Sequence, residues 1–460
     1  MLVNVVERNV HFIGIGGSGM SGIATIMLQQ GYRISGSDLN QGEATSRLIN
    51  MGARIYVGHD GANIPENTDL VIISSAIRDE NPELVSARER GIRVIKRGEM
   101  LARLMSMQKG IAVAGSHGKT TTSSMISLAF EKNGLDPTVV VGADIKELGG
   151  NAKLGEGEFL VAEADESDGS FLLLSPYIEV ITNIEDDHLD HYGSREAIKE
   201  AFREFVRKVP EDGYIVICSD DENIREIAAG SGKRTITYGL YHPAMYAAKN
   251  IAAEGLRTFA DIYCGRNRLG RLELNVPGLH NISNAMAAIA VCIAAGLDFD
   301  AIAGALKDFQ GPQRRFQLMG DVNGISIYDD YAHHPTEVKA TLSAAKQTKA
   351  NRVIGVFQPH RFTRTKFLHR EFGEAFCDAD VIIINEIYAA GETPIKGVTA
   401  DLIVNAIHDR ENRPVHYFRT TEEIVDFLYE LAEPGDLILT LGAGNIRTVG
   451  SHLVERLKAR

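Results

Sequence analysis

HFIGIGGSGMSG (residues 11–22) and AVAGSHGKTTTSS (residues 112–124) are two glycine-rich turns, each leaving an apolar strand and opening a helix. The first, Gly14-x-Gly16-x-x-Gly19 with Asp38 at the end of the following strand, has the spacing of a dinucleotide-binding turn, although the same geometry accepts any pyrophosphate carried on a ribose. The second ends Gly115-Ser116-His117-Gly118-Lys119-Thr120, a shortened P-loop. Its backbone N–H groups and helix N-terminus attract phosphate, Lys119 supplies a cation, and the Thr120 hydroxyl suits Mg2+. Two phosphate cradles in one chain set the question of what they serve.

Working outward, strand, turn and helix alternate along the whole chain, which predicts an α/β protein built on parallel sheets. A strand at 10–15, a helix at 18–30 capped by Gly31, and strands in YRISGSD, DLVIISSA and IRVIK make a first Rossmann-like domain, closed by the helix RGEMLARLM. We expect three domains: 1–107; a central P-loop ATPase-type α/β domain, 108–313; and a C-terminal Rossmann-like domain, 314–460. The central one holds GIAVAGS, EFLVAEADESD and IEVITNIEDDHLD, then a hairpin-rich patch and the helix NISNAMAAIAVCIAAG. The last holds the strands GISIYDD, RVIGVFQ, ADVIIINE and DLILTLGAG.

At 460 residues with a net charge of -13, the chain does not suit nucleic acid, which needs a basic face. No stretch is long and apolar enough for membrane insertion, and the N-terminus does not read as a signal peptide, so a cytoplasmic protein is expected. Cys218, Cys264, Cys292 and Cys377 are too far apart for a zinc knuckle or redox dithiol, and mostly buried, reduced thiols are expected.

Strand carboxyl ends converge on the ligand crevice of such sheets. Glu163 ends one strand, and Asn183 and His188 follow another, so Glu163 and His188 are expected to face the P-loop phosphates and to suit Mg2+. Tyr331 and His333 follow ISIYDD, and His360, Arg361 and Arg364 follow the next strand. Arg361 and Arg364, three apart, are expected to face one way on a first helical turn and fork a carboxylate.

The ordered blocks GSHGKTTT, EADESD, TNIEDDHLDHY, GLHNISNAMAA, GPQRRFQ, YDDYAHHPTEV, QPHRFTRT and GAGNIRTVG resemble the Mur ligases over nearly the whole chain. The resemblance implies ATP-dependent amide formation through an acyl phosphate, with ATP and Mg2+ as cofactors. HFIGIGGSGMSGIA and DDYAHHPTEV point to the step joining L-alanine to the lactyl carboxylate of UDP-N-acetylmuramate, by a monomer or homodimer. It assigns Gly14, Gly16, Gly17, Gly19, Met20, Ser37, Asp38 and Ser74, with Tyr331, His360, Arg361 and Arg364, to the substrates. Gly115, Ser116, His117, Gly118, Lys119, Thr120, Thr121, Asn183, His280, Asn281, Asn284, Arg315 and Asp330 go to ATP, and Thr120, Glu163 and His188 to metal. Lys119, His188, His333 and Arg361 are the expected catalytic residues.

Several Mur ligases carry a carbamylated lysine about 15 residues beyond the histidine matching His188, where this chain has Arg203. A guanidinium stays protonated and forms no carbamate. Arg203 is therefore expected to supply a fixed charge near the phosphates or an ion pair, with Lys199 a solvated surface residue and a second Mg2+ relying on His188 and substrate oxygens. Two other readings stay open: a ligase adding a murein tripeptide to the same acceptor, and a P-loop ATPase switch protein. An NAD-dependent oxidoreductase would need a hydride-transfer site, and the sequence presents none.

Overall fold

β1 (Asn9–Ile13) lies in the middle of its sheet, and from Val10 onward its residues are buried, because helices cover both faces of a parallel strand. With β2 (Arg33–Asp38), β3 (Arg54–Val57), β4 (Leu70–Ile73) and β5 (Arg93–Lys96) it forms an all-parallel sheet of order β3-β2-β1-β4-β5. The order reverses at β1, so its carboxyl end is a topological switch point. This computed structural model describes residues 8–185, 187–411 and 413–459.

The second sheet has ten strands: β6 (Lys109–Ala114), β7 (Thr138–Ile145), β8 (Gly150–Lys153), β9 (Phe159–Glu163), β10 (Ile178–Ile181), β11 (Tyr214–Cys218), β12 (Thr235–Gly239), β13 (Tyr246–Glu254), β14 (Arg257–Cys264) and β15 (Asn267–Leu274). Their order is β15-β14-β13-β12-β11-β10-β6-β9-β7-β8. β6, which feeds the P-loop, is flanked by β9 and β10, both parallel to it. The third sheet orders β16 (Gln317–Val322), β17 (Ile325–Asp330), β18 (Arg352–Phe357), β19 (Val381–Asn385), β20 (Val415–Phe418) and β21 (Asp436–Leu441) as β16-β17-β21-β18-β19-β20. Two apolar layers cover it, one around Phe357, Phe372 and Phe376 and the other around Ile327, Ile383 and Leu453.

The architecture is three α/β domains, one per sheet, but the chain condenses into two compact units. Residues 1–249, 262–270 and 283–306 form the first, and residues 250–261, 271–282 and 307–460 the second. The first unit therefore joins the N-terminal and central sheets. Arg47 makes two 2.8 Å hydrogen bonds to Asp144, and Asn151 donates to the Ser18 carbonyl at 2.7 Å. Antiparallel pairing occurs at β7–β8 and β16–β17, whereas β9, β6, β10, β11 and β12 pair in parallel. Of the four thiols, Cys218 and Cys292 are buried and Cys377 is exposed.

Glu179, in the middle of β10 between Ala112 and Ile215, is fully buried, and neither carboxylate oxygen has a hydrogen-bond partner among the described residues. Burial, only partly opposed by the charge of Lys233, pushes its carboxyl well above the ordinary range. A raised folded-state pKa means that the folded chain keeps a proton which the unfolded chain loses above its ordinary glutamate value. Stability therefore falls as pH rises through that window, by up to about 1.4 kcal/mol per unit. Glu179→Met is expected to raise the unfolding midpoint at pH 8, with a smaller gain at pH 5. Equal midpoints at both values in thermal melts would contradict this.

Candidate functional site

β1 delivers its glycine turn to the carboxyl edge of the first sheet. Gly14 takes φ +82°, and the Gly14 and Ile15 N–H groups donate to the Ser37 carbonyl at 2.9 and 3.0 Å. The Gly16 N–H donates to Asp38 Oδ2 at 2.8 Å, and a Cβ at Gly16 would stand 2.8 Å from that same oxygen, so the close approach requires glycine. Gly14, Gly16, Gly17, Asp38, Thr45, His59, Ser74 and Asn81 are among the residues lining a cleft of about 880 Å³. Ser37 differs from expectation: it is fully buried, and its hydroxyl donates to Glu83 Oε2 at 2.7 Å. Met20 is buried too, on the core side of the helix Ser18–Gln29.

Sequence reasoning passed over the network under this turn. Glu83 is fully buried and bonds His11 Nε2 at 2.7 Å, His59 Nδ1 at 3.1 Å and Asn63 Nδ2 at 3.2 Å. Burial works against its charge, but the hydrogen bonds from His11, Ser37 and Asn63 outweigh it and hold the carboxyl below its ordinary range. His59, which lines the cleft, is thereby fixed from below.

In the central domain the helix Lys119–Lys132 opens from the P-loop, with Gly118 at φ +82° before it. The flanking strands place the expected partners. Asn183, just past β10, accepts the His117 N–H at 2.7 Å and donates to the His117 carbonyl at 3.0 Å. Glu163, at the end of β9, accepts the Thr120 hydroxyl at 2.8 Å and the Gly142 N–H at 3.0 Å. Asn284 accepts from the Thr122 hydroxyl at 3.3 Å. Thr121 is buried in the first turn of the P-loop helix, and Ser116 donates its N–H to the Asn183 carbonyl. His188, at φ +58°, holds Nε2 3.6 Å from Glu166 and from Asp187.

The residue that the motif reading overlooked is Glu166. Lys119 Nζ donates to Glu166 Oε1 at 2.7 Å and to the Gly115 carbonyl at 2.6 Å. Burial opposes the Lys119 charge, but Glu166, Glu163 and Asp165 outweigh it and hold the ammonium above its ordinary value. Burial also pushes Glu166 up to about 7 against the attraction of Lys119. The Thr120–Glu163 pair suits a divalent cation: both donors are hard oxygens, and a Cβ at Gly142 would stand 2.5 Å from Glu163 Oε2.

Arg203 makes the expected ion pair, with Glu226 at 2.7 Å and Glu200 at 3.2 Å. Lys199 is a correction. It is only 9% exposed, and its ammonium reaches Glu226 at 2.7 Å because the stem is buried on the inner face of the helix Arg195–Arg207.

The remaining residues lie in the second unit. Asp330, at the end of β17, accepts the Phe316 and Ala332 N–H groups, both at 2.8 Å. Burial, opposed by Arg315, pushes it up to about 6. Tyr331 lies under the Arg314 and Arg315 guanidiniums, and Arg315 pairs with Glu337 at 3.2 Å. His333 meets His360 edge-on at 5.6 Å, and Arg364 Nη1 lies 3.3 Å from His360 Nδ1. Tyr388, outside every sequence motif, stacks on His360 with the rings 5.8 Å apart. His280 is exposed at the start of the helix Leu279–Ala294, and Asn281 donates to the Pro277 carbonyl at 2.7 Å.

Arg361 does not share a helical turn with Arg364. It precedes the helix Phe362–Phe372 at φ +73°, and its N–H donates to the Tyr388 carbonyl at 2.8 Å. The bridge between His360 and Tyr388 pulls the backbone out of helical geometry at this point.

Comparison with known proteins matches residues 9–118 to the Mur ligase family catalytic domain, 113–292 to the Mur ligase middle domain and 314–444 to the Mur ligase glutamate ligase domain. The chain is 59% identical to the UDP-N-acetylmuramate--L-alanine ligase of Pelotomaculum thermopropionicum over 453 residues, 98% of each chain. It is 52% identical to that of Desulforamulus reducens over 456 residues, 99% of each. The crystal structure of the UDP-N-acetylmuramate-alanine ligase from Thermotoga maritima superposes with a TM-score of 0.84 at 30% identity, over 98% of this chain and 99% of that one. A murein peptide ligase from Psychrobacter arcticus gives 0.73 at 25% identity, over 98% of each. With three domain matches in order and relatives of this identity over nearly its full length, the chain belongs to the Mur ligase family.

Proposed function

We propose that this chain joins L-alanine to the lactyl carboxylate of UDP-N-acetylmuramate, cleaving ATP to ADP and phosphate, in the cytoplasmic assembly of peptidoglycan precursors. The observation that carries this reading is the pair of phosphate turns within one compact unit: Gly14–Gly19 over a cleft of about 880 Å³, and Gly115–Thr120 beside Glu163. Names of relatives 59% and 52% identical support the choice of substrates. Addition of a murein tripeptide is less well supported, since the murein peptide ligase aligns at 0.73 against 0.84.

A carboxylate is a poor acyl donor because its leaving group would be oxide. Attack of a lactyl carboxylate oxygen on the ATP γ-phosphorus, with departure of ADP, makes that oxygen the bridge of an acyl phosphate, a mixed carboxylic–phosphoric anhydride with phosphate as its leaving group. The amine of alanine then attacks the carbonyl carbon, phosphate leaves with the C–O electron pair, and the nitrogen loses a proton. Lys119, with the P-loop N–H groups, opposes the charge gathered when a carboxylate meets a triphosphate. Thr120, Glu163 and His188 would hold Mg2+, which supplies further positive charge to the phosphate oxygens. Asp38, at the rim of the first cleft, is assigned to the uridine ribose, while His333, His360, Arg361 and Arg364 are assigned to the amino acid and its carboxylate.

Phosphate release should require UDP-N-acetylmuramate and L-alanine together; release indifferent to both would favour the ATPase switch. Lys119→Ala is expected to fold and to lose turnover by two to three orders of magnitude, roughly the effect of removing one preorganised charge-stabilising group. Near-wild-type turnover would refute the P-loop assignment. Gly142→Ala, which drives a methyl group against Glu163, should raise the Mg2+ concentration for half-maximal rate by about tenfold or more. An unchanged Mg2+ titration would remove Glu163 from the metal site. Calorimetry should show UDP-sugar binding weakened in Asp38→Ala and no tight binding of NAD to the wild type. The reverse pattern would restore the dinucleotide reading.

A further inference from the structure

The loop after β9 is held from two sides at neighbouring residues. Glu166 binds Lys119 of the P-loop at 2.7 Å, and the Tyr192 hydroxyl donates to the Glu166 carbonyl at 2.6 Å. One residue earlier, Asp165 Oδ2 accepts from Arg97 Nη2 at 3.0 Å. The same nitrogen donates to the Ser170 hydroxyl at 3.4 Å and lies 3.6 Å from Asp168. Arg97 opens the last helix of the N-terminal domain, Arg97–Met105. That helix comes so close to the loop that a Cβ on Gly98 would stand 2.7 Å from Ser170 Cβ.

The other guanidinium nitrogen points to the first phosphate turn: a Cβ on Gly19 would stand 2.9 Å from Arg97 Nη1. Arg97 is mostly buried, its side chain 15% exposed. One arginine therefore lies beside the glycine turn of the N-terminal domain with one nitrogen and bonds the acid loop of the ATP site with the other. Its position beside Gly19 is on the positive end of the helix Ser18–Gln29, where a cation is favoured only with anions close by.

We propose that Arg97 is a positioning residue that links the two nucleotide sites through the loop at 164–171, so that UDP-N-acetylmuramate and ATP each strengthen binding of the other. The proposal rests on the function argued above. Phosphate at Lys119 competes with Glu166 for the lysine, and diphosphate at the glycine turn competes with Asp165 for Arg97. Each nucleotide thus loosens one of two clamps on a single loop. Once one clamp is loosened, moving the loop for the second nucleotide costs less, which is positive linkage and by thermodynamics reciprocal.

The test measures binding of β,γ-methylene-ATP with Mg2+ by calorimetry on the full chain, with and without saturating UDP-N-acetylmuramate. In the wild type the UDP-sugar should tighten analogue binding by about tenfold, within the usual range for coupled sites. In Arg97→Met that factor should fall to within about twofold of unity, and Asp165→Asn should do the same from the other side. The double variant should lose nothing more, because both changes cut one link. Arg97→Lys, which keeps the charge, should recover part of the factor. A merely structural role would shift each affinity alone and leave their ratio intact. A wild-type factor of one, or a wild-type factor surviving in Arg97→Met, overturns the proposal while leaving the ligase reading in place. Failure of the wild type to bind UDP-N-acetylmuramate at all overturns the ligase reading, and the proposal with it. If Arg97→Met melts early, Asp165→Asn decides alone.

Discussion

An ammonium taken out of water must be met by anions or by carbonyl dipoles, and in this molecule that requirement falls on Lys119. Its charge is answered by Glu166, by the Gly115 carbonyl and, at longer range, by Glu163 and Asp165. All three acids belong to one short segment at the carboxyl end of β9. They can serve Lys119 only because β9 lies beside β6, with Val113 in register with Glu163. β10, on the other side of β6, brings Asn183 to the His117 backbone. The strand order β10-β6-β9 is thus what turns a glycine-rich turn into a charged, oriented pocket, and the outer strands of that sheet can vary without disturbing it.

Much of this was legible because parallel strands buried on both faces are written as unbroken apolar runs. β6, β9, β18 and β19 stand out in this way, with one polar residue at an end of each run. Strands at or near the sheet edges were harder. β3, β8, β16 and β20 are short or half-exposed, so their patterns resemble ordinary surface segments. The union of the N-terminal and central sheets in one unit was not legible either. It rests on contacts such as Arg47 with Asp144, in which neither residue differs in any local pattern from a solvated charge.

The same division runs through the site. Glu163 was found because it ends a strand, whereas Glu166 lies after the chain has turned, where period-two alternation no longer says which way a side chain points. Tyr388 follows β19 as His360 follows β18, so the rule of strand carboxyl ends contained the signal, although no motif marked it. Arg361 was misplaced by applying helical spacing one residue before the helix begins, which is where such spacing arguments are weakest. Lys199 was misjudged because a lysine in a polar helix reads as solvated, while its stem here lies on the buried face.

The first glycine turn shows why a fingerprint can be right about geometry and silent about ligand. Asp38 and Gly16 form one structural device: the carboxylate takes the Gly16 N–H, and no side chain could stand at Gly16 without striking it. A glycine at this spacing and an acid at the end of the next strand are therefore required together to shape the turn, whatever ribose lies above it. The turn specifies a pyrophosphate and a sugar, and nothing in it distinguishes a second nucleotide from an amino sugar. That distinction comes from what the turn is joined to. Here Arg97 ties it to a loop whose next residue holds the P-loop lysine, so a group anchored at the first turn is anchored to the machinery of phosphoryl transfer. A hydride-transfer enzyme has no use for that connection, and a ligase that must phosphorylate its own nucleotide-linked substrate does.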